Sequence, residues 1–146
     1  MTKKQITEGN RLITQFMGWE LIQTKDELKA WVFKNKETGN VMLLDDRKPY
    51  DKKFWNKDSV LEFNESWDWL MPVIDKIEII SKTPIQFYFK ERENGQAIDG
   101  IKYKVGLNPN RDNNIHDVFI GESISKIEAT FISVVEFINW YNKQKK

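Results

Sequence analysis

Apolar residues recur at helical spacing in three segments of the chain. The first segment covers roughly residues 4–17 and ends before Gly18, a residue that commonly follows the last turn of a helix. The third begins after Ser125, which stands at capping-box spacing from Glu128. Its apolar stripe steps by four and three residues and consists of Ile127, Phe131, Val134, Ile138 and Tyr141. These two patterns predict a first and a last helix.

The middle segment has a proline inside it, so its pattern allows two interpretations. Apolar spacing over roughly residues 67–80 predicts a helix, with Ser66 as the N-cap and Asp68 in the first turn. Pro72 then lies past the first turn, where proline removes a backbone hydrogen bond. The helix is therefore either kinked at Pro72, or residues 66–70 form a separate turn and the helix starts near Pro72. The pattern slightly favours the second interpretation.

Short β-rich runs fill the rest of the chain and are separated by polar turns. These runs are residues 30–34, 40–44, 60–63, 85–90, 100–105 and 118–121. The first two flank a glycine-bearing loop and predict a hairpin. Taken together, the elements predict an α+β fold. In it, three helices pack on an antiparallel sheet of about five or six short strands, and residues 1–146 form a single domain.

The helical stripes also predict which residues form the core. One face of the middle helix is expected to pack against one face of the last helix. These two faces consist of Trp67, Leu70, Ile74 and Ile77, and of Phe131, Val134 and Ile138. Trp67 and Trp69 have the chemistry to stack a base or to anchor an interface. Their place on the apolar stripe favours the core instead.

The charge balance argues against a dedicated nucleic-acid-binding protein. The 146 residues include 23 Lys or Arg and 22 Asp or Glu, for a net charge of +1. Nucleic-acid-binding domains usually carry a strong basic excess. A weakly basic nucleic-acid-binding role stays as an alternative if Lys102, Lys104 and the C-terminal lysines gather on one face.

The composition also excludes several sites and locations. The chain has no cysteine, which excludes disulfides and Cys-ligated zinc. No apolar run approaches the ~20 residues of a membrane helix. The polar start of the sequence predicts no signal peptide, so the expected location is the cytosol.

No catalytic residues, cofactor or resident metal are expected from the motifs. The single histidine, His116, cannot supply a usual zinc site. Its neighbour Asp117 is poorly placed to orient it in a catalytic triad. No phosphate-binding glycine loop is present. An enzyme remains the alternative to a binding protein. This enzyme would be a magnesium-dependent hydrolase or nuclease that uses Asp45, Asp46, Asp112 or Asp117.

The best candidate for a ligand site is the polar loop of residues 108–117. Arginine is scarce, with four among the 23 basic residues, and Arg111 lies in this loop. A guanidinium can hold a phosphate through two parallel hydrogen bonds. The candidate ligand-binding residues are Arg111, Asn113, Asn114 and His116 in the loop, with Trp55 and Tyr50 as a stacking wall.

Three segments of the chain resemble a known group of proteins. They are residues 10–19 (NRLITQFMGW), residues 66–73 (SWDWLMPV), and residues 127–129 with 134–141 (IEA and VVEFINWY). These segments are similar to small uncharacterised proteins of tailed phages and prophages, especially those of Bacteroidetes-type bacteria. The similarity covers the three predicted helices.

The resemblance implies a phage accessory protein in the host cytoplasm, and such proteins are often non-enzymatic. Some act against host defence by binding a host immune protein or by sequestering a nucleotide immune signal. The resulting hypothesis is a non-catalytic binding protein whose partner is a nucleotide-like small molecule or a host defence protein. A homodimer that builds a pocket from two chains is compatible with it.

Overall fold

The computed structural model describes residues 1–23, 25, 31–43, 61–89, 103–107 and 119–145 of the chain. Among these residues the helices are α1 (Lys3–Phe16), α2 (Trp67–Ser81) and α3 (Lys126–Gln144). The strands are β1 (Trp19–Gln23), β2 (Trp31–Asn35), β3 (Val41–Leu43), β4 (Gln86–Phe89), β5 (Tyr103–Leu107) and β6 (Phe119–Ser123). The predicted α+β class is confirmed.

The strands form two separate antiparallel sheets rather than one. Their orders are β1-β2-β3 and β4-β5-β6, so each described strand pairs with its neighbours along the chain. The prediction of one sheet of five or six strands is therefore not supported. A period of two identifies the faces of a strand but does not reveal which edges pair.

The chain divides into two compact units, Met1–Glu62 and Phe63–Lys146. Each unit contains one of the two sheets. A single domain over residues 1–146 stays a prediction.

The first unit joins α1 to its sheet through a tight turn and a buried amide. Gly18 makes the turn with φ +79°. The side chain of Asn35 then links the β2–β3 turn to the end of α1. Its Nδ2 donates to the carbonyl oxygen of Met17 (3.0 Å), and its Oδ1 accepts from the backbone N–H groups of Glu37 (2.9 Å) and Thr38 (3.0 Å). Asn35 is only 6% exposed, so these three hydrogen bonds replace bonds that water would otherwise make.

Asn35→Ala is expected to lower the free energy of unfolding by about 2 kcal/mol, because it leaves partly buried backbone groups without their partners. Urea denaturation measures this loss. Asn40→Ala is the matched control, since the Asn40 side chain is exposed at the same turn; its effect is expected within about 0.5 kcal/mol of zero. Equal effects of the two substitutions would contradict the proposed role of the Asn35 amide.

In the second unit, α3 packs on β5 and β6 at very short range. A Cβ atom built on Gly121 of β6 would lie 1.8 Å from the carbonyl oxygen of Ala129 and 2.8 Å from the backbone nitrogen of Ser133. Close by, the Ser133 hydroxyl donates to the carbonyl oxygen of Phe119 (2.7 Å). The helix and the strand are thus in contact through their backbones, which only glycine allows.

The start of α3 agrees only in part with the capping-box prediction. The Ser125 hydroxyl accepts from the Glu128 N–H (3.5 Å), as that spacing predicts. The Glu128 carboxylate accepts instead from the hydroxyl of Ser123 (2.5 Å). This hydrogen bond stabilises the charged carboxylate and is the main cause that lowers the pKa of Glu128.

Helix α2 begins at Trp67 and runs through Pro72, so the interpretation of a separate turn before Pro72 is wrong. Ser66 is the N-cap residue, but its side chain makes no capping hydrogen bond. Pro72 cannot donate to the carbonyl oxygen of Asp68. Both residues are exposed, and solvent can hydrogen-bond to this carbonyl group. The proline is tolerated because it lies on the solvent side of the helix.

Two further differences concern strands. The pattern does not predict β1, because four of its five residues are half-buried and show no alternation. A strand over residues 60–63 is predicted, but residues 61–65 form bends and turns, and residue 60 lies outside the described residues. Short runs without alternation carry little information about strands.

The core of the second unit lies around the two long helices. Helices α2 and α3 are in contact. Their fully buried apolar residues include Leu70, Val73, Ile74 and Ile77 on α2, and Phe131, Val134, Phe137 and Ile138 on α3. Six of the seven residues expected in this core are therefore buried. The exception is Trp67, which is 36% exposed.

Candidate functional site

The six residues expected to bind a ligand all lie outside the described residues. They are Tyr50, Trp55, Arg111, Asn113, Asn114 and His116. The carboxylates of the alternative hydrolase, Asp45, Asp46, Asp112 and Asp117, lie outside them as well, and so does Lys102. That any of these residues meet in space stays a prediction.

The described residues contain a different candidate site, a groove in the second unit. Its volume is about 450 Å³. It is lined by Trp67, Met71, Ile74, Asp75, Glu78, Ile85 and Lys126. We call it the α2 groove, because five of these residues belong to α2. Ile74 is 1% exposed and closes the groove toward the core, while the groove is partly open to solvent.

One row of α2 residues borders this groove, and the first three of its four members line it. Trp67, Met71, Asp75 and Ile79 follow one another at steps of four, so they lie one above the other along the helix surface. We call this row the α2 ridge. Trp67 is 36% exposed, Met71 45% and Ile79 77%. Three large apolar side chains thus share one exposed row.

This exposure is unusual because the other side of α2 is already buried. A helix at the surface of a globular domain normally has one apolar stripe and a polar opposite face. In α2 the opposite face is buried through Leu70, Val73 and Ile77, yet three of the four side chains of the α2 ridge are also large and apolar. Large apolar residues on both faces of a helix are typical of a helix that has partners on both faces.

The two tryptophans of α2 have different environments, which corrects the prediction that both lie in the core. Trp69 is half-buried and packs edge-on against Phe63, with ring centroids 6.0 Å apart. Trp67 is the first residue of the helix and lies at the flank of the buried stripe. Its ring therefore faces the α2 groove and solvent.

The α2 groove carries more acidic than basic groups. Asp75 and Glu78 line it together with one lysine, Lys126. The Glu78 carboxylate accepts from the backbone N–H of Ile85 (2.7 Å) and so fixes the connection from α2 to β4. Asp75 is exposed on the α2 ridge, and Asp68 is exposed two turns earlier on the same side. The exposed side of α2 therefore combines apolar surface with negative charge.

The polar groups that line the groove are two carboxylates and one ammonium group, and its other lining residues are Trp67, Met71, Ile74 and Ile85. In the part of the chain that the structure describes, no three carboxylate or imidazole groups converge on a metal position.

Comparison with known proteins adds no relative. No family model, no curated protein and no solved structure matches the chain. Separately, no helix among the described residues is long and apolar enough to cross a membrane.

Two large apolar residues outside the predicted buried face of the middle helix indicate this site in the sequence. Met71 and Ile79 lie outside the predicted buried face of the middle helix, and both are large and apolar. Apolar residues all around a helix predict contacts on all its sides. The α2 ridge could have been proposed from these two positions alone.

Proposed function

We propose that the chain is a non-catalytic phage accessory protein that acts in the host cytoplasm by docking on a host defence protein. Its contact surface is the α2 ridge with the adjoining α2 groove. The observation that carries this proposal is the row of Trp67, Met71 and Ile79, exposed on a helix whose opposite face is buried.

The chemistry of the ridge supports a protein partner. Neighbouring apolar residues that together form an exposed patch often mark an interaction site, whereas single exposed apolar residues are common on any protein surface. Aromatic residues and methionine are enriched in protein interfaces, and tryptophan is prominent among the residues that contribute most to binding. Trp67 and Met71 have these properties and lie side by side on the rim of the α2 groove.

The same groove is a poor site for a nucleotide. Asp75 and Glu78 would repel the phosphate groups of such a ligand. Pockets for small molecules usually enclose most of the ligand surface, whereas this groove is partly open to solvent. Capture of a nucleotide signal would use the loop of Arg111 that was proposed from the sequence. Binding of a nucleotide is therefore one of the results that the following experiment can give.

The test compares two substitutions that place a charge at similarly exposed apolar positions. Met71 is 45% exposed on the α2 ridge, and Val41 is 54% exposed in the first unit. Purified wild-type protein, Met71→Asp and Val41→Asp are each mixed with cytoplasmic extract of a Bacteroidetes-type host. Size-exclusion chromatography and mass spectrometry then identify stable complexes. We expect one host protein to co-elute with the wild type and with Val41→Asp, and to be lost with Met71→Asp.

Two results would overturn the proposal. One is a host protein that Met71→Asp retains at the level of the wild type. The other is a nucleotide that native mass spectrometry finds on the wild-type protein when no host protein co-elutes. Urea denaturation of both variants confirms that they remain folded, because a charge at an exposed position normally shifts stability by about 0.5 kcal/mol or less.

A further inference from the structure

We infer that the α2 ridge receives an amphipathic helix of the partner that carries lysine or arginine beside its apolar residues. This inference rests on the proposed function and specifies the partner at the same surface. It follows from the spacing of the ridge, from its charge and from the shape of the groove beside it.

The spacing of the ridge matches the way in which two helices pack. Side chains at steps of four form a continuous row on a helix, and such a row fits between the rows of a second helix. The α2 ridge spans residues 67–79. At a rise of 1.5 Å per residue it is about 18 Å long, so about three turns of a partner helix can cover it. A partner helix lying along this row can insert apolar side chains into the α2 groove.

The acidic residues on and beside the α2 ridge favour a partner with basic residues. Asp75 lies within the α2 ridge, and Asp68 and Glu78 lie beside it. Lys126 lines the α2 groove from the start of α3, and Lys82 follows the C-terminal end of α2, so neither lysine belongs to the α2 ridge. A partner helix with lysine or arginine opposite Asp75 therefore gains favourable pairs along the middle of the ridge.

The charge also argues against a second copy of this chain as the occupant. Two α2 helices that pack antiparallel about their centres bring Asp75 of one close to Asp75 of the other. Like charges on facing helices destabilise the contact. No basic residue of the α2 ridge offsets this repulsion.

Two synthetic peptides test the inference directly. Both are helices of about four turns with leucine at the same positions, and their polar positions are all lysine in one and all glutamate in the other. Isothermal titration calorimetry measures the affinity of the full chain for each peptide. We expect the lysine peptide to bind at least about tenfold more tightly, and its affinity to fall as salt is raised.

Charge reversal on the protein separates the ridge from general electrostatics. Asp75→Lys is expected to weaken the lysine peptide about tenfold and to strengthen the glutamate peptide. Glu8→Lys is the matched control, because Glu8 is an exposed acid of the first unit and its replacement changes the net charge equally. This control is expected to change either affinity about twofold at most.

The possible results distinguish this inference from the proposed function. Equal binding of both peptides, or equal effects of Asp75→Lys and Glu8→Lys, overturns the basic-helix inference. The proposed function still stands if Met71→Asp continues to lose the host protein. A dimer in sedimentation analysis that Ile79→Asp dissociates also overturns the inference, because the occupant is then a second copy.

Discussion

Gly121→Ala is expected to destabilise the second unit by about 3 kcal/mol or more. An added Cβ would lie 1.8 Å from the carbonyl oxygen of Ala129, whereas real Cβ atoms essentially never come within 3.0 Å of another heavy atom. The neighbouring atoms belong to the backbone of α3, so no side chain can rotate away. The helix has to retreat from the sheet, and overpacking of this kind costs up to about 3 kcal/mol and sometimes more.

Gly39→Ala is the matched control for this prediction. Gly39 has φ +75°, and a Cβ there would meet nothing within 4 Å. Its substitution introduces backbone strain of about 1 kcal/mol without any steric clash. Urea denaturation followed by circular dichroism measures both variants. A loss at Gly121 no larger than the loss at Gly39 would show that α3 can move away from β6 freely.

Phe131→Ala is expected to lower the free energy of unfolding by about 3–5 kcal/mol. The side chain of Phe131 is completely buried in the second unit. Its truncation removes apolar contacts and leaves a cavity that the surrounding residues fill only in part. Chemical denaturation monitored by tryptophan fluorescence measures this loss.

The control for Phe131 is Ile79→Ala, because Ile79 is a large apolar residue of the same unit that is 77% exposed. Its truncation is expected to change stability by about 0.5 kcal/mol or less. A loss below about 1 kcal/mol for Phe131→Ala would mean that the stripe of α3 does not form the core. A large loss for Ile79→Ala would mean that the α2 ridge is buried within the chain itself.

The helices were largely predictable from the sequence because their period is long and repeated. The start of α3 follows from Ser125 and the stripe behind it, and α1 ends one residue before the expected boundary. The exception is α2, where Pro72 favoured a break that does not occur. Proline inside a helix usually kinks or breaks it, but its effect also depends on which side of the helix it occupies.

The sheets and the site were less predictable, for different reasons. Strand β1 has no alternation, because most of its residues are half-buried. The division into two sheets depends on which strand edges meet, which no short pattern encodes. The exposure of Trp67 depends on its place at the flank of the stripe and at the first turn of α2. The six ligand-binding residues proposed from the sequence lie outside the described residues and keep the status of a prediction.

The pairing of each described strand with its neighbours in sequence has a consequence for the order of folding during synthesis. Contacts between residues that are close in sequence form quickly, and proteins tend to fold from the N-terminal side as they are synthesised. Among the described residues, the sheet of the first unit has no strand beyond β3. The sheet of the second unit, by contrast, leaves its Gly121 face uncovered until α3 has been made. We therefore expect the first sheet to form during synthesis before the second unit, which can close only after α3 has been made.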